Sequence, residues 1–186
     1  GTCRSKFVWN KDKIMSTNLQ FITSQSLTSS ASTFSVTNCF NSKYDVYKIC
    51  VRDFVQATSN TYTNMRLIDN GGSILSANYD RAELQMASYT TAEQTRSTSA
   101  SELFDRLNFN QSNATGVGMT IIVFNPFSSS DFTHAINQSI GRASSSGAIG
   151  FRGIAVHKSA ESITGVSFHM DTGNITSATV NVYGVK

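Results

Sequence analysis

Apolar and polar side chains alternate along much of this chain, in short runs that are separated by turn residues. Apolar residues at every second position place their side chains on one face of a strand, so each run predicts a strand with one buried face. The runs are too short for typical helices and have the spacing expected of a sandwich or barrel. The predicted strands are 18–22, 33–38, 44–52, 63–68, 79–88, 118–124, 132–140, 150–158, 165–170 and 177–183.

The alternation is clearest in three of these runs, each of which we expect to form a half-buried strand with one face toward solvent. In the second of the three, His134 and Gln138 share the face of the apolar residues, and the opposite face holds Thr133, Ala135, Asn137 and Ser139. The apolar side chains that should share a face are Tyr47, Ile49 and Val51 in the first run, Phe132, Ile136 and Ile140 in the second, and Ala178, Val180 and Val182 in the third.

Turn signals predict how some of these strands connect. Asn70-Gly71 between two strands predicts a hairpin, because tight primed turns need positive φ angles. Residues 171–174 predict a similar turn between the last two strands. Residues 89–117 show no regular alternation and are predicted to be a loop, with an irregular strand or one helical turn over 101–107 as the alternatives. That helical turn would bury Leu103, Phe104 and Leu107.

The first residues differ from the rest of the chain. They are basic, contain the only tryptophan and show no periodicity. We therefore expect residues 1–16 to form an N-terminal arm or extension, and residues 17–186 to form a single domain. Phe7, Val8 and Trp9 are an apolar cluster that would dock against a neighbouring protein. A solvated tail is the alternative interpretation.

Composition favours the same fold class. Of the 186 residues, 39% are hydrophobic and 15% are charged, Pro occurs once, and Ser, Thr and Asn are abundant. This mixture suits pleated strands with uncharged polar surfaces, so an all-β antiparallel sandwich is expected. The net charge of +3 without a stripe of Lys and Arg argues against nucleic acid as a partner. No apolar run is long enough to span a bilayer, which predicts a soluble protein without membrane insertion.

Cysteine and histidine give no metal or cofactor signal. Cys3, Cys39 and Cys50 form no CxxC pair, so free thiols are expected, with a bridge between Cys39 and Cys50 left open. The histidines His134, His157 and His169 lie on three different predicted strands without a metal-ligand spacing. We interpret them as core or surface histidines.

Catalytic signals are equally weak. No Gly-x-Ser-x-Gly elbow singles out a nucleophilic serine. Glycoside hydrolysis needs two facing carboxylates, for which Asp80 with Glu83 or Glu102 with Asp105 are the nearest candidates. Surface charge is the simpler interpretation of all four residues. The sequence therefore predicts no enzyme, no catalytic residue and no cofactor.

Tyrosines offer a binding hypothesis of a different kind. An aromatic ring can cover the apolar face of a sugar while its hydroxyl group hydrogen-bonds. Tyr62, Tyr79 and Tyr89 are candidates for such a glycan surface or for a subunit interface. Packing in the core is the alternative.

Several strings of the chain carry a family resemblance. They are YDVYKICV at 44–51, NYD at 78–80, VFNPFSSSDFTHA at 123–135 and the ending ITGVSFHMDTGNITSATVNVYGVK. In their order and spacing they resemble the small β-rich virion proteins and tail-fibre terminal domains of cyanobacterial and other marine tailed phages. The resemblance implies a jelly-roll-like β-sandwich that assembles as a homo-oligomer, a trimer, without catalytic residues. The chain lacks the repetitive shaft of long fibres, and its first residues do not belong to the pattern.

The resemblance implies a non-enzymatic virion structural protein that is made in the host cytoplasm. It would be an exterior appendage: a short fibre, a tail or head fibre, or a decoration subunit. Its partners would be copies of itself and other virion proteins, with a host-surface glycan in a second, attachment role. Wet strand faces and the segments 89–117 and 141–149 would meet the environment. The alternatives are a free carbohydrate-binding module and, third, a glycan depolymerase.

Overall fold

The computed structural model describes residues 18–110, 117–143 and 147–186, and these residues form strands and connections without any helix. The predicted arm, with Phe7, Val8 and Trp9, lies outside the described residues, as does Cys3. The strands are β1 (Leu19–Ser26), β2 (Thr33–Val36), β3 (Val46–Gln56), β4 (Thr61–Asp69), β5 (Tyr79–Ala87), β6 (Glu93–Ala100), β7 (Phe104–Asn110), β8 (Val117–Phe124), β9 (Thr133–Ala143), β10 (Gly147–His157), β11 (Ile163–Met170) and β12 (Ile175–Val185).

The strands form two antiparallel sheets that pack as a sandwich. The large sheet has eight strands in the order β1-β12-β3-β8-β9-β10-β5-β6. The small sheet has four strands in the order β2-β11-β4-β7. The predicted all-β antiparallel sandwich is therefore confirmed.

The large sheet consists of a four-strand half and a four-strand extension. Without β5, β6, β9 and β10, the sheets reduce to β1-β12-β3-β8 and β2-β11-β4-β7. Along this eight-strand frame the chain passes from one sheet to the other at nearly every connection. The remaining four strands continue the large sheet from β8 outward.

The inner faces of the two sheets form the core. Two of the three clear alternations are confirmed: the predicted apolar faces of β3 and β12 are buried. The buried residues of these faces are Tyr47, Ile49, Val51, Ala178, Val180 and Val182, and the small sheet adds Leu67 and Phe168 among others.

The third alternation is oriented opposite to the prediction. Phe132, Ile136 and Ile140 are 44%, 41% and 62% exposed. The polar face, with Asn137 and Ser139, is buried instead. The cause is the pairing register, because directly opposite residues of an antiparallel pair share a face. Ile121 of β8 points into the core and is paired with Asn137, so the isoleucines of β9 point outward.

The segment 89–117 contains the two strands β6 and β7, so the predicted loop and the helical turn are wrong, and the strand alternative is confirmed. β6 lies at the edge of the large sheet and has a wholly polar sequence apart from Ala100, which explains why no alternation marks it. β7 pairs with β4. The burial expected for Leu103, Phe104 and Leu107 is confirmed. Strands also cover most of 141–149, because β9 ends at Ala143 and β10 begins at Gly147.

Both predicted turns form. After Asn70-Gly71 the chain folds back on the end of β4 through a short antiparallel bridge between Ile68 and Ile74, but neither turn pairs the two long strands that flank it. β4 and β5, on either side of Asn70-Gly71, belong to different sheets, as do β11 and β12. The positive φ angles fall on Gly72 and Gly173. The hairpins are β5–β6, β8–β9 and β9–β10. Local turn chemistry reverses the chain, but it does not determine which sheet the next strand joins.

Candidate functional site

The surface of the large sheet that points away from the small sheet is called here the outer face. Cross-strand pairing arranges its side chains in rows that run across the strands. The first row is Leu19, Val185, Val46, Phe124, His134, Val156 and Asp80. The second row is Phe21, Tyr183, Lys48, Ile122, Ile136, Ile154, Ala82 and Arg96.

Beyond these two rows, the outer face becomes polar and then apolar again. The third row is Asn181, Cys50, Thr120, Gln138, Arg152, Leu84 and Gln94. The fourth row is Gly118, Ile140, Gly150 and Met86. Of the four rows, the first two are mainly apolar. The first row ends at Asp80, and the second row ends at Arg96 on the same side of the sheet.

The apolar side chains of the outer face are widely exposed. Ile154 and Ile140 are 63% and 62% exposed, and Phe21 is 56% exposed. Phe21 also packs edge-on against Tyr183, with 5.8 Å between ring centroids. Single exposed apolar residues are ordinary on protein surfaces, but contiguous apolar patches mark interaction sites. The outer face is such a patch.

Two adjoining hollows of about 490 and 740 Å³ lie in the outer face. Both are lined by Ala82, Arg96, Ile136 and Ile154. The larger hollow extends to the first row at Phe124 and its neighbours. Because Ala82 is small and stands between the longer side chains of Ile154 and Arg96, it leaves room for an apolar side chain of a partner.

Beneath the outer face, strands β5 and β9 of the extension bury polar side chains. Glu83, Gln85, Asn137 and Ser139 are buried there. The amide nitrogen and oxygen of Asn137 have no hydrogen-bond partner among the described residues, and the same holds for Asn108 of β7. Burying an amide without a partner costs about 1–3 kcal/mol. The inner side of the extension is therefore mixed: β5 and β9 bury polar side chains there, whereas β10 buries Ile149, Phe151 and Ala155.

A buried charge cluster joins this inner surface to the small sheet. Arg81 donates to Glu83 at 2.7 Å and also contacts the Asp105 carboxylate. Glu83 accepts the backbone N–H groups of Asp105 and Arg106, at 3.3 and 3.2 Å. Burial raises the pKa of Glu83 to about 7, and the hydrogen bond and charge of Asp105 add to this against the opposing effect of Arg81.

This cluster corrects the prediction for the carboxylates. Surface charge is wrong for Glu83 and Glu102, which are 3% and 8% exposed. Glu83 is near Asp105 rather than acting with Asp80, which binds Lys158 at 2.7 Å. Glu102 accepts a hydrogen bond from Arg66 at 2.9 Å. The side chain of Glu83 is fully buried, so no glycan can reach it.

The three candidate tyrosines do not form one glycan surface, because one of them lies in the core. Tyr79 is fully buried, which removes it as a glycan contact. Its hydroxyl oxygen accepts the N–H of Leu67, and its hydroxyl group donates to the carbonyl of Leu75. Tyr62 is half-buried and packs edge-on against Phe151, with 6.1 Å between centroids. Tyr89 is 42% exposed.

The histidines and cysteines hold structural positions. His134 lies on the outer face, His157 is buried and bonded to Glu161 at 2.8 Å, and His169 lies 3.3 Å from Glu102. Within the described ranges, no group of three His, Cys, Asp or Glu side chains is arranged to hold a metal ion. Cys39 and Cys50 are free thiols. Burial raises the pKa of Cys39 to about 12.

Sequence patterns pointed to part of this site without identifying it. The run at 132–140 revealed an apolar face, but that face was assigned to the core. Ile154 and Val156 alternate in the predicted strand 150–158, yet the match between Ile122, Ile136 and Ile154 depends on strand order, which no local pattern contains.

Comparison with protein-family models, curated proteins and solved structures finds no significant match to this chain. In the part of the chain that the structure describes, no helix of membrane-spanning length and apolarity occurs. The geometry of the outer face and the strand order are the features of the molecule that bear on function.

Proposed function

We propose that this chain is a non-enzymatic structural subunit of a virion that assembles with copies of itself. The observation that carries self-assembly is the outer face, where apolar rows cross the large sheet and β9 exposes its isoleucines while it buries Asn137 and Ser139. A subunit that stays single would gain solubility from the opposite arrangement. An assembled subunit buries the apolar rows against a neighbour.

The strand order supports a jelly roll as the underlying fold. Jelly rolls have eight strands in two four-stranded sheets, and they occur in viral capsid proteins and in lectins. The frame β1-β12-β3-β8 over β2-β11-β4-β7 has this form. Fold alone does not distinguish a virion subunit from a sugar-binding module. The large apolar outer face favours the virion subunit, because sugar sites need more hydrogen-bonding groups.

The resemblance to phage virion proteins directs the proposal to an exterior appendage: a short fibre, a tail or head fibre, or a decoration subunit. Neighbouring virion proteins are its partners in this role, and attachment to a host-surface glycan is a second function. The buried carboxylates suit a structural protein, since Glu83 pairs with Arg81 and Glu102 pairs with Arg66 inside the fold.

Mass spectrometry of purified particles tests the proposal. We expect the chain in particles at a fixed copy number relative to the major virion proteins, with removal only under conditions that disassemble particles. Antibody labelling of intact particles then distinguishes an exterior position from an internal one. If the chain is absent from particles and binds glycans as a free protein on an array, the virion function is refuted in favour of the carbohydrate-binding module.

A further inference from the structure

The outer face has the dimensions of a subunit interface. Eight strands at about 4.8 Å spacing make it about 34 Å wide, and four rows two residues apart make it about 20 Å long. Because the fourth row crosses only four strands, the resulting area is at most on the order of 700 Å², which approaches the roughly 800 Å² that each partner buries in a standard stable interface. Apolar and aromatic residues predominate in the first two rows, as the middle of an interface requires, although these rows also hold Lys48. Arg96, Arg152 and Asp80 lie toward one end.

The described surface indicates what can cover this face. Of the nine large apolar side chains that are exposed in the described residues, six lie on the outer face: Leu19, Phe21, Met86, Ile136, Ile140 and Ile154. A partner must offer an apolar surface of similar extent. On a second copy of the chain, the described surface with this character is the outer face itself.

We propose that the outer face of one copy packs against the outer face of a second copy, in a twofold contact centred on Ile136 and Ile154. This inference rests on the proposed function and specifies its interface. In a twofold contact, a residue of the first copy that contacts a second residue on the partner is matched by the same contact in the opposite direction. The exposed isoleucine side chains of one copy enter the hollows beside Ala82 of the other. Assemblies built on this contact contain an even number of copies, in contrast to the trimer that the resemblance implies.

The first test measures the mass of the full chain in solution by light scattering. We expect twice the chain mass of 20.2 kDa, or an even multiple of it. In Ile154→Glu a charge replaces a side chain at the centre of the contact, and we expect its dissociation constant to rise by at least about thirtyfold. Because Ile154 is 63% exposed in the single chain, this variant keeps its fold, which circular dichroism checks.

Ile74→Glu is the matched control. Ile74 is 43% exposed and lies outside the rows of the outer face, in the connection after β4. We expect this variant to assemble like the natural chain. A monomeric natural chain, a trimeric mass, or equal weakening by both substitutions overturns the twofold contact. Ile154→Thr, which keeps a branched strand-forming side chain, replaces Ile154→Glu if the latter misfolds.

The thiol of Cys50 gives a second readout. Cys50 lies half-buried in the third row. Cys39 is buried and has a raised pKa, so a thiol reagent should react slowly with Cys39. In a Cys3→Ser chain, we expect the alkylation of Cys50 to slow as the protein concentration rises and copies associate. Ile154→Glu should restore fast alkylation at the same concentration. A rate that is independent of concentration in an assembled protein contradicts the proposed face.

The outcomes separate this inference from the virion function. If the chain is found in particles but is monomeric in solution, or associates through another surface, the virion function stands and the twofold interface is wrong. A chain that forms the twofold contact but is absent from particles retains the interface and loses the function.

Discussion

Tyr79 connects the two sheets through a single hydroxyl group. Its side chain starts on β5 of the large sheet, and its oxygen accepts the N–H of Leu67 on β4 of the small sheet at 3.1 Å. The same hydroxyl group donates to the carbonyl of Leu75, and the ring packs beside His157. Burial raises the pKa of Tyr79, so the hydroxyl group stays protonated and remains a donor.

We expect Tyr79→Phe to lower the free energy of unfolding by about 1–2 kcal/mol, because the Leu67 N–H and the Leu75 carbonyl lose their partner inside the protein. Urea denaturation measures this loss. Tyr89→Phe is the control, since Tyr89 is 42% exposed and its hydroxyl group can be replaced by water. Equal stability of Tyr79→Phe and the natural chain would refute the role of this hydroxyl group.

Gly184 shows how closely backbone and side chains approach in the core. A methyl group at this position would overlap the ring of Tyr44. We expect Gly184→Ala to destabilise the fold by about 1–3 kcal/mol, because the aromatic ring and the strand must move apart. Gly118→Ala tests the same change where nothing lies within 4 Å of the new methyl group. Chemical denaturation of both should show a loss only for Gly184→Ala.

At the level of elements, the extension is joined to the small sheet by charged groups as well as by apolar packing. Glu83 on β5 accepts two backbone N–H groups from β7, and Arg81 contacts both Glu83 and Asp105. Proximity of two carboxylates inside the protein favours the protonated form of one of them. The contact between β5 and β7 therefore depends on pH near neutrality.

The pKa of Glu83 is raised from 4.5 to about 7, so the folded protein holds this proton more tightly than the unfolded chain does. The stabilisation is fully present below pH 4.5 and is lost as the pH rises through 7. We expect the natural chain to lose up to about 3 kcal/mol of stability from this group between pH 5 and 8.

Glu83→Gln removes the titrating group, so its free energy of unfolding should fall less over the same pH range. Glu93→Gln, which changes a largely exposed carboxylate on the adjacent strand β6, should retain the pH dependence of the natural chain. Parallel denaturation curves of Glu83→Gln and the natural chain across this range would show that the buried carboxylate does not titrate there.

At the level of the whole molecule, the frame strands and the extension strands of the large sheet differ in the side chains that they point at the small sheet. The frame strands β3, β8 and β12 point apolar residues at the small sheet, whereas β5 and β9 point polar residues inward and apolar residues outward. In the proposed dimer, a second copy packs on the outer face and covers these outward-pointing apolar residues. Stability should then depend on protein concentration.

We expect the melting temperature of the natural chain to rise with protein concentration, because association stabilises the folded state by mass action. Ile154→Glu should melt at a temperature that is nearly independent of concentration. Calorimetry over a hundredfold concentration range measures both. A melting temperature of the natural chain that stays constant over this range would contradict self-association through any surface.

The sequence by itself determined the all-β class, most of the strands and the inward faces of β3 and β12. Alternation with period two is a local property of the chain. It predicts the buried face correctly for a strand whose one apolar face packs against the opposite sheet. It missed β6, whose polar edge sequence carries no such pattern. At Asn70-Gly71 the sequence predicted the reversal of the chain, which forms with a bridge between Ile68 and Ile74, but not that β4 and β5 belong to different sheets.

Only the tertiary structure decided which side of β9 is inside. The register with β8 places Asn137 beside the buried Ile121 and leaves Ile136 beside the outward-facing Ile122. The outer face and the pairing of Glu83 with Asp105 arise in the same way, from residues far apart in the chain. A sequence pattern records which residues of one strand share a face, but the choice between its two faces depends on the neighbours to which that strand is hydrogen-bonded.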